Sequence, residues 1–184
     1  EMYFNGQGVP QDDTEAVHWY RKAAEQGHAS AQFNLGLMCQ NGRGVPQDDS
    51  EAAQWYRKAA EQGHVTAQFN LGVMYDEGEG VPENDAEAVK WYRKAAEQGH
   101  ITAQANLGFM YQNGEGVPRD LEVAYMWFYI AKRNGYEDGQ TFLNALERKG
   151  ILDFLNSDKL SPESVSQAKK RARKFLEKQK SRKE

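Results

Sequence analysis

This chain of 184 residues has little cysteine and no long apolar run. A single cysteine, Cys39, excludes an internal disulfide and any zinc site built from several cysteines. No apolar stretch approaches the roughly 18 residues that a membrane-spanning helix requires, so membrane insertion is not expected. Hydrophobic residues make up 39% of the chain and charged residues 27%, which is typical of folded domains rather than disordered segments.

Basic residues are concentrated at the C-terminal end. The formal net charge is −4, yet residues 159–184 hold ten of the 23 Lys and Arg residues and three of the 27 acidic ones. Residues 1–158 are therefore acidic. Because recognition of a phosphate backbone needs a basic face, nucleic acid is not expected as the main partner. The basic end is expected to be a solvated segment that offsets the acidic body, with acidic lipid or nucleic acid as the alternative ligands.

The main feature of the sequence is a repeat of 36 residues. Its markers are Gly-Val-Pro at 8–10, 44–46, 80–82 and 116–118; Trp-Tyr at 19–20, 55–56 and 91–92, with Trp-Phe at 127–128; and Asn-Leu-Gly at 34–36, 70–72 and 106–108. Three independent markers that keep one period without insertions exclude coincidence. The chain is therefore expected to be an array of equivalent structural units.

Each unit is predicted to contain two helices. The second helices are expected near residues 13–26, 49–62, 85–98 and 121–134, and the first helices near 29–41, 65–77 and 101–113. Each second helix follows an N-cap residue such as Asp12 and stops at a glycine such as Gly27. A glycine inside each first helix, such as Gly36, normally costs about 1 kcal/mol. Its recurrence predicts that the two helices of a unit cross there, too closely for a Cβ atom.

One helix pair cannot bury its apolar face alone, but stacked neighbours can. The expected fold class is therefore all-α: a right-handed α-α superhelix, or solenoid, of 36-residue helix-turn-helix repeats with a concave and a convex side. Residues 1–135 are assigned to the array, and its first repeat is predicted to be truncated because Met2-Tyr3 aligns with Met38-Cys39. Residues 136–184 are assigned to a degenerate helix near 138–148 and a basic capping helix that begins at Ser161-Pro162.

The repeated string resembles the Sel-1-like repeat, a relative of the tetratricopeptide repeat with a longer loop between its helices. In this chain the string runs Ala-x-x-x-Leu-Gly-x-Met-Tyr-x-x-Gly-x-Gly-Val-Pro, then Glu-Ala-x-x-Trp-Tyr-Arg-Lys-Ala-Ala-Glu-Gln-Gly. The similarity covers about residues 1–135. Cys39 departs from it where Tyr75 and Tyr111 stand in later units, and Phe128 and Ile130 depart in the fourth. The resemblance, which is nearest to bacterial members, implies scaffold and adaptor roles without naming one partner.

Partner-binding residues are expected on the concave face of the first helices. In tetratricopeptide relatives, the residues that flank the matching Leu-Gly line this face, and an asparagine there can both donate to and accept from a peptide backbone. The residues assigned to partner binding are Asn34, Asn70, Asn106, Ser30, Thr66, Gln40 and Asp76. The alternative for the asparagines is a hydrogen bond to a neighbouring helix that holds the stack together.

The recurring aromatic residues and histidines are given structural roles. Phe33 and Phe69 are expected in the core rather than in the groove. The tryptophans are expected between helices, at positions 19, 55, 91 and 127. His28, His64 and His100 recur once per repeat, whereas zinc ligands must all lie within about 2.1 Å of one ion and packed helices lie about 8–10 Å apart. No metal site is therefore predicted, and each histidine is expected to start a helix, as a candidate cap.

No catalytic residue, cofactor or metal is predicted, and the chain is not expected to be an enzyme. It contains no Gly-Lys-Ser/Thr phosphate loop, and its Gly-x-Gly turns precede helices without following strands.

The predicted function is a protein- or peptide-binding adaptor or scaffold that uses the concave solenoid face. The alternative is a dedicated bacterial envelope or effector-linked partner, of the inhibitor, immunity or chaperone type, that binds one protein through a large surface. A monomer is expected, and a periplasmic or secreted location is preferred over the cytoplasm.

Overall fold

The computed structural model describes residues 12–152 and 160–181, and every regular element within them is an α-helix. The helices of these residues are α1 (Asp13–Glu25), α2 (Ala29–Asn41), α3 (Asp49–Glu61), α4 (Val65–Glu77), α5 (Asp85–Glu97), α6 (Ile101–Asn113), α7 (Leu121–Arg133), α8 (Gly139–Leu152) and α9 (Pro162–Lys180). The predicted bounds of the first and second helices in the repeats agree with these to within one residue. The predicted truncation of the first repeat at Met2-Tyr3 lies outside the described residues.

The helix ends are set by side-chain caps and by glycines. Four N-cap side chains accept a hydrogen bond of 2.8–3.1 Å from the backbone N–H three residues later; they belong to Asp12, Asp48, Asn84 and Asp120. The first helices end at left-handed glycines, of which Gly42 has φ +63° and Gly78 has φ +70°. Such a φ is costly for other residues, so these glycines stop the helix and turn the chain towards the next one.

Gly36 and Gly108, inside two of the first helices, lie at close helix crossings, as predicted. A Cβ atom on Gly36 would lie 2.8 Å from the ring of Tyr56, and one on Gly108 would lie 2.7 Å from the ring of Phe128. Real Cβ contacts are essentially never this short. Because glycine has no side chain at these positions of α2 and α6, an aromatic ring of the following second helix fills the space between the two helices.

The described residues form two compact units, divided between Trp91 and Tyr92. In the first unit, α1 packs on α2, α2 on α3 and α3 on α4. Its core is centred on Leu35, Tyr56 and Leu71, each of which is completely inaccessible to solvent. Alternating first and second helices thus share one continuous core, as stacked repeats require.

In the second unit, α7 packs against α6, α8 and α9. The terminal helix α9 begins as predicted, with Ser161 as N-cap and Pro162 in its first turn. Ala168 and Ala172 of this helix are fully buried, and Ala168 joins the core that contains Phe128. The helix α9 therefore covers the apolar surface of the last repeat and caps it. Among the helices described, none combines the length and apolar character needed to cross a bilayer.

Candidate protein-interaction surface

The residues assigned to partner binding lie on the first helices and are at least partly accessible. Ser30 and Thr66 are exposed near the starts of α2 and α4, and Asn34 and Asn70 lie half-buried four residues further along. That spacing places the two members of each pair on the same face of their helix. Asn106 is half-buried at the corresponding position of α6, in the second unit.

The hydroxyl group of Tyr56 connects two of these residues. Tyr56 is fully buried on α3, and its hydroxyl donates a hydrogen bond of 2.8 Å to Oε1 of Gln40. The side chain of Asn70 lies close enough to the same hydroxyl to lower its pKa. Burial raises the pKa of Tyr56 to about 12, and the nearby amide of Asn70 opposes that rise. Gln40 therefore links α2 to α3 by a hydrogen bond, and Asn70 of α4 lies beside the same tyrosine.

The amides of Asn34 and Asn106 differ from that of Asn70. Neither side chain makes a hydrogen bond within the part of the chain that the structure describes. Each therefore keeps a free donor group and a free acceptor on a half-exposed helix face. Asp76 stands in α4 where Gln40 stands in α2; it is half-buried and is already engaged by another group.

The fourth repeat replaces the tyrosine–asparagine contact with two aromatic rings. Phe128 occupies the position of Tyr56, and Phe142 of α8 occupies the position of Asn70. Their ring centroids lie 5.3 Å apart with an interplanar angle of 29°. The exchange of both partners together indicates that this position is a contact between the second helix of one repeat and the first helix of the next.

Phe33 lies at the border between this surface and the core. It is half-buried and packs against the core of the first unit, with its ring 5.8 Å from that of Tyr56 and 4.6 Å from that of His64. The prediction that Phe33 belongs to the core is thus confirmed. Leu37, one turn further along α2, also packs partly against the core and keeps an accessible edge.

A set of buried glutamines was missed by the sequence reasoning. They are Gln32, Gln68 and Gln104, and each Nε2 donates to a carbonyl near the end of the preceding second helix, at 3.0–3.1 Å. The Oε1 of Gln32 accepts a further hydrogen bond of 2.7 Å from Gln62. Each of these amides adds a second hydrogen bond to a carbonyl at a helix end, which also accepts one from the N–H of the following glycine. The recurring Ala-Gln pair at a spacing of 36 residues was the available signal.

The recurring histidines act at helix starts. Nδ1 of His64 accepts a hydrogen bond of 3.2 Å from the N–H of Ala67, and His100 does the same for Ala103. His28 precedes α2 without such a bond. Burial lowers the pKa of His64 and of His100, so that the neutral form, which can accept this bond, is preferred. In residues 12–152 and 160–181, no group of three or more His, Cys, Asp or Glu side chains could hold a metal ion.

The predicted inter-helix position holds for three of the four tryptophans and is wrong for Trp19. The exposed fraction of the side chain is 8% for Trp55, 4% for Trp91 and 5% for Trp127, but 48% for Trp19. Trp127 is covered by Phe175 of α9, with ring centroids 5.3 Å apart. Within the described residues, by contrast, the hydrogen-bonding, cationic and aromatic partners of Trp19 all belong to its own helix.

The repeat pattern and the fold both have known counterparts. The Sel1 repeat pattern matches residues 1–28, 29–64, 65–100 and 101–136. A protective antigen of uropathogenic Escherichia coli with an SLR fold is similar in structure, with a TM-score of 0.78 and 44% sequence identity over 81% of this chain and 32% of the antigen. This chain thus spans about a third of the length of that antigen. No curated protein matches this chain.

Two further solved structures are similar. A Sel1 repeat protein from Oxalobacter formigenes has a TM-score of 0.78 and 37% identity, over 95% of this chain and 70% of its own. The cysteine-rich protein B of Helicobacter pylori has a TM-score of 0.57 and 26% identity, over 72% of this chain and 96% of its own. With the helices and caps described above, these similarities confirm the predicted fold class: an all-α solenoid of helix-turn-helix repeats with a terminal capping helix.

Proposed function

This chain belongs to the Sel1 repeat family, whose members generally act as non-catalytic protein-interaction scaffolds, and from that premise we propose that its first helices hold a peptide or protein partner. The residues proposed to contact this partner are Asn34, Asn70, Asn106, Ser30, Thr66, Gln40 and Asp76. The contact occurs within each repeat, on the accessible face of its first helix. No cofactor takes part.

The free amides of Asn34 and Asn106 are the observation that carries this proposal. Elsewhere in the described residues, buried amides such as that of Gln32 are satisfied by carbonyls. Asn34 and Asn106 are half-buried and lack any such partner. These side chains keep accessible donor and acceptor groups, and an extended peptide backbone supplies both an acceptor and a donor that match them. Gln40 contributes less to binding, because its Oε1 already accepts a hydrogen bond from Tyr56.

The accessible neighbours of Asn34 and Asn70 suit a peptide that lies along the first helices. Ser30 and Thr66 add exposed hydroxyl groups one turn before the asparagines, and Leu37 offers an apolar edge about one turn after Asn34. Polar groups around an apolar contact are typical of protein recognition sites, in which the apolar centre supplies affinity and the polar rim supplies orientation.

The test compares two variants that each remove two amides. Asn34→Ala/Asn106→Ala removes the free amides of the first helices, and Gln26→Ala/Gln54→Ala removes two exposed amides at or next to second helices. Both variants and the parent chain are immobilised and used to capture proteins from a lysate of the source organism, after thermal unfolding has verified that all three are folded. We expect one protein to be retained by the parent and by the glutamine variant, and lost by the asparagine variant.

The alternative function is a dedicated envelope or effector-linked partner that uses a large surface, and one observation favours it. The turn after α4 carries the exposed carboxylates Glu77, Glu79 and Glu83 without an intervening basic residue. Such a surface suits one basic partner protein. In the same capture experiment, a single protein retained equally by all three chains would contradict the asparagine site, and its loss on Glu77→Lys/Glu79→Lys would establish the alternative.

The cellular location proposed for this chain is the periplasm or the extracellular space. The support is its similarity to a protein described as a protective antigen. A monomer is proposed for the free chain. Fractionation of the source organism with a specific antibody tests the location, and recovery in the cytoplasmic fraction alone would contradict it.

A further inference from the structure

A basic groove lies between α7 and α9 in the second unit, and its role is separate from that of the first helices. Its volume is about 370 Å³, and it is lined by Tyr129, Arg133, Arg173, Leu176, Glu177 and Lys180. Three cations and one carboxylate give this groove a net positive charge. The charge of the groove is therefore opposite to the net charge of residues 1–158, which hold 24 of the 27 acidic residues.

The three cations of the groove are available to a ligand. Arg133, Arg173 and Lys180 are exposed, and none of them makes an ion pair or a side-chain hydrogen bond with another described residue. Glu177, on the same helix as Arg173, does not approach it closely enough to form an ion pair. An arginine side chain presents parallel N–H groups that match a carboxylate, so two free arginines favour a ligand with carboxylates.

Other cations of α9 have a different, structural role. Lys169 lies 3.8 Å from Glu147 of α8, and Arg171 lies 3.6 Å from Glu122 of α7. These two pairs join the capping helix to α7 and α8. The cations of the groove form no such pairs with other described residues.

The floor of the groove is partly apolar. Tyr129 and Leu176 are half-buried, so that part of each side chain remains accessible. The basic character continues along the outside of α9, where Lys170 and Lys174 line a second depression of about 420 Å³ that shares Arg173 with the groove. From Lys170 to Lys180 the helix rises about 15 Å, which is long enough for a short peptide segment.

We propose that this groove binds an acidic peptide segment that carries an apolar side chain. Carboxylates of the segment pair with Arg133 and Arg173, and its apolar side chain packs on Tyr129 and Leu176. The buried alanines of α9 leave this helix no free apolar face to enter a lipid bilayer. The groove also lacks a fully exposed aromatic ring on which bases could stack. Charge and shape together therefore favour an acidic protein segment over a membrane or a nucleic acid.

The test uses the full chain and a fluorescein-labelled peptide of sequence Glu-Glu-Phe-Glu-Glu-Leu, with a matched peptide in which every Glu is Gln. Fluorescence anisotropy in a low-salt buffer is expected to show binding of the first peptide and not of the second. Arg133→Glu/Arg173→Glu is expected to weaken binding by roughly tenfold or more, because two attractive pairs become repulsive. Lys22→Glu/Lys58→Glu changes the net charge equally on exposed positions of α1 and α3, and is expected to bind like the parent.

A third variant, Leu176→Ala, tests the apolar floor of the groove. We expect it to weaken binding of the Glu-Glu-Phe-Glu-Glu-Leu peptide. Its effect should be smaller on a peptide in which Ala replaces Phe and Leu. Thermal unfolding verifies that every variant is folded. Equal binding of the Glu and Gln peptides would overturn the proposal, as would an equal loss of binding in the lysine control. It would also be overturned if a DNA duplex or a phosphatidylserine vesicle bound more tightly than the peptide and depended on the same arginines. Failure here leaves the first-helix proposal intact, because the two sites share no residue.

Discussion

Gly36 lies in the middle of α2, where the fully buried ring of Tyr56 passes directly over it. We expect Gly36→Ala to lower the free energy of unfolding by about 1–2 kcal/mol, although alanine is the better helix former, since overpacking a closed core costs about 1–3 kcal/mol. Urea titration measures the change. Ser30→Ala, on an exposed position of the same helix, is the control and should be nearly neutral. An increase in stability for Gly36→Ala would mean that the crossing is looser than described.

Cys39 is the residue at which the second repeat departs from its neighbours. In later repeats a tyrosine at this position receives a hydrogen bond from an arginine, as Tyr75 does from Arg57. With Cys39 in place of that tyrosine, Arg21 instead forms an ion pair with Glu51, at 2.9 Å. The substitution thus redirects one arginine and leaves a small, fully buried thiol.

The thiol of Cys39 is expected to be unreactive in the folded chain. Burial raises its pKa to about 11, with a further contribution from Glu51. At pH 8 only about one molecule in a thousand therefore carries the reactive thiolate, and even that group is inaccessible. Ellman's reagent should react with one thiol in urea and with almost none under native conditions. A native rate close to the rate in urea would contradict the described packing.

At the scale of the helix, the histidine caps predict a dependence of stability on pH. His64 caps α4 through its neutral Nδ1, and burial lowers its pKa in the folded chain. A basic group whose pKa is lower in the folded chain than in the unfolded chain contributes its full stabilisation when the pH is above the unfolded pKa, near 6.5. That contribution to the stability of the fold is lost progressively as the pH falls through the folded pKa. Part of the stability of the chain should therefore disappear between about pH 7 and pH 5.

The variant His64→Asn isolates this contribution, because asparagine is a good N-cap that does not titrate. We expect the loss of thermal stability on acidification to be smaller in this variant than in the parent. His28→Asn is the matched control, since His28 occupies the same position but makes no side-chain cap bond. If both variants lose stability on acidification as much as the parent does, the cap of α4 is not the titrating feature.

At the scale of the whole molecule, α9 is the element that terminates the repeat array. Ala168→Glu/Ala172→Glu places two carboxylates in the fully buried interface between α9 and the last repeat. We expect a marked drop in the melting temperature and increased binding of an apolar dye, because a buried unpaired charge costs several kcal/mol and α9 must detach. Ser166→Glu/Gln167→Glu, on exposed positions of the same helix, should preserve both properties. Unchanged melting of the alanine variant would show that α9 is dispensable as a cap.

Charge is also distributed at this scale. The acidic residues are spread over the repeats, whereas the cations of α9 lie on the cap beside the groove that it forms with α7. The composition alone predicted only a solvated basic end. Two of its cations are paired with carboxylates of α7 and α8, and three other basic residues line the groove, whose existence depends on how α9 packs on α7.

The sequence by itself determined the repeat period, the helix bounds, the caps and the close crossings at the glycines. These features depend on interactions within one repeat, and 36-residue periodicity displays each of them several times. Tertiary packing decided which of the residues at equivalent repeat positions form hydrogen bonds and which are buried. His28 and His64 stand at equivalent positions, yet only His64 accepts a hydrogen bond that caps its helix. Trp19 and Trp55 are equivalent too, yet only Trp55 is covered. A repeated residue has the same local structure in every copy, but its burial and hydrogen bonds depend on the neighbouring helices, which differ from one copy to the next.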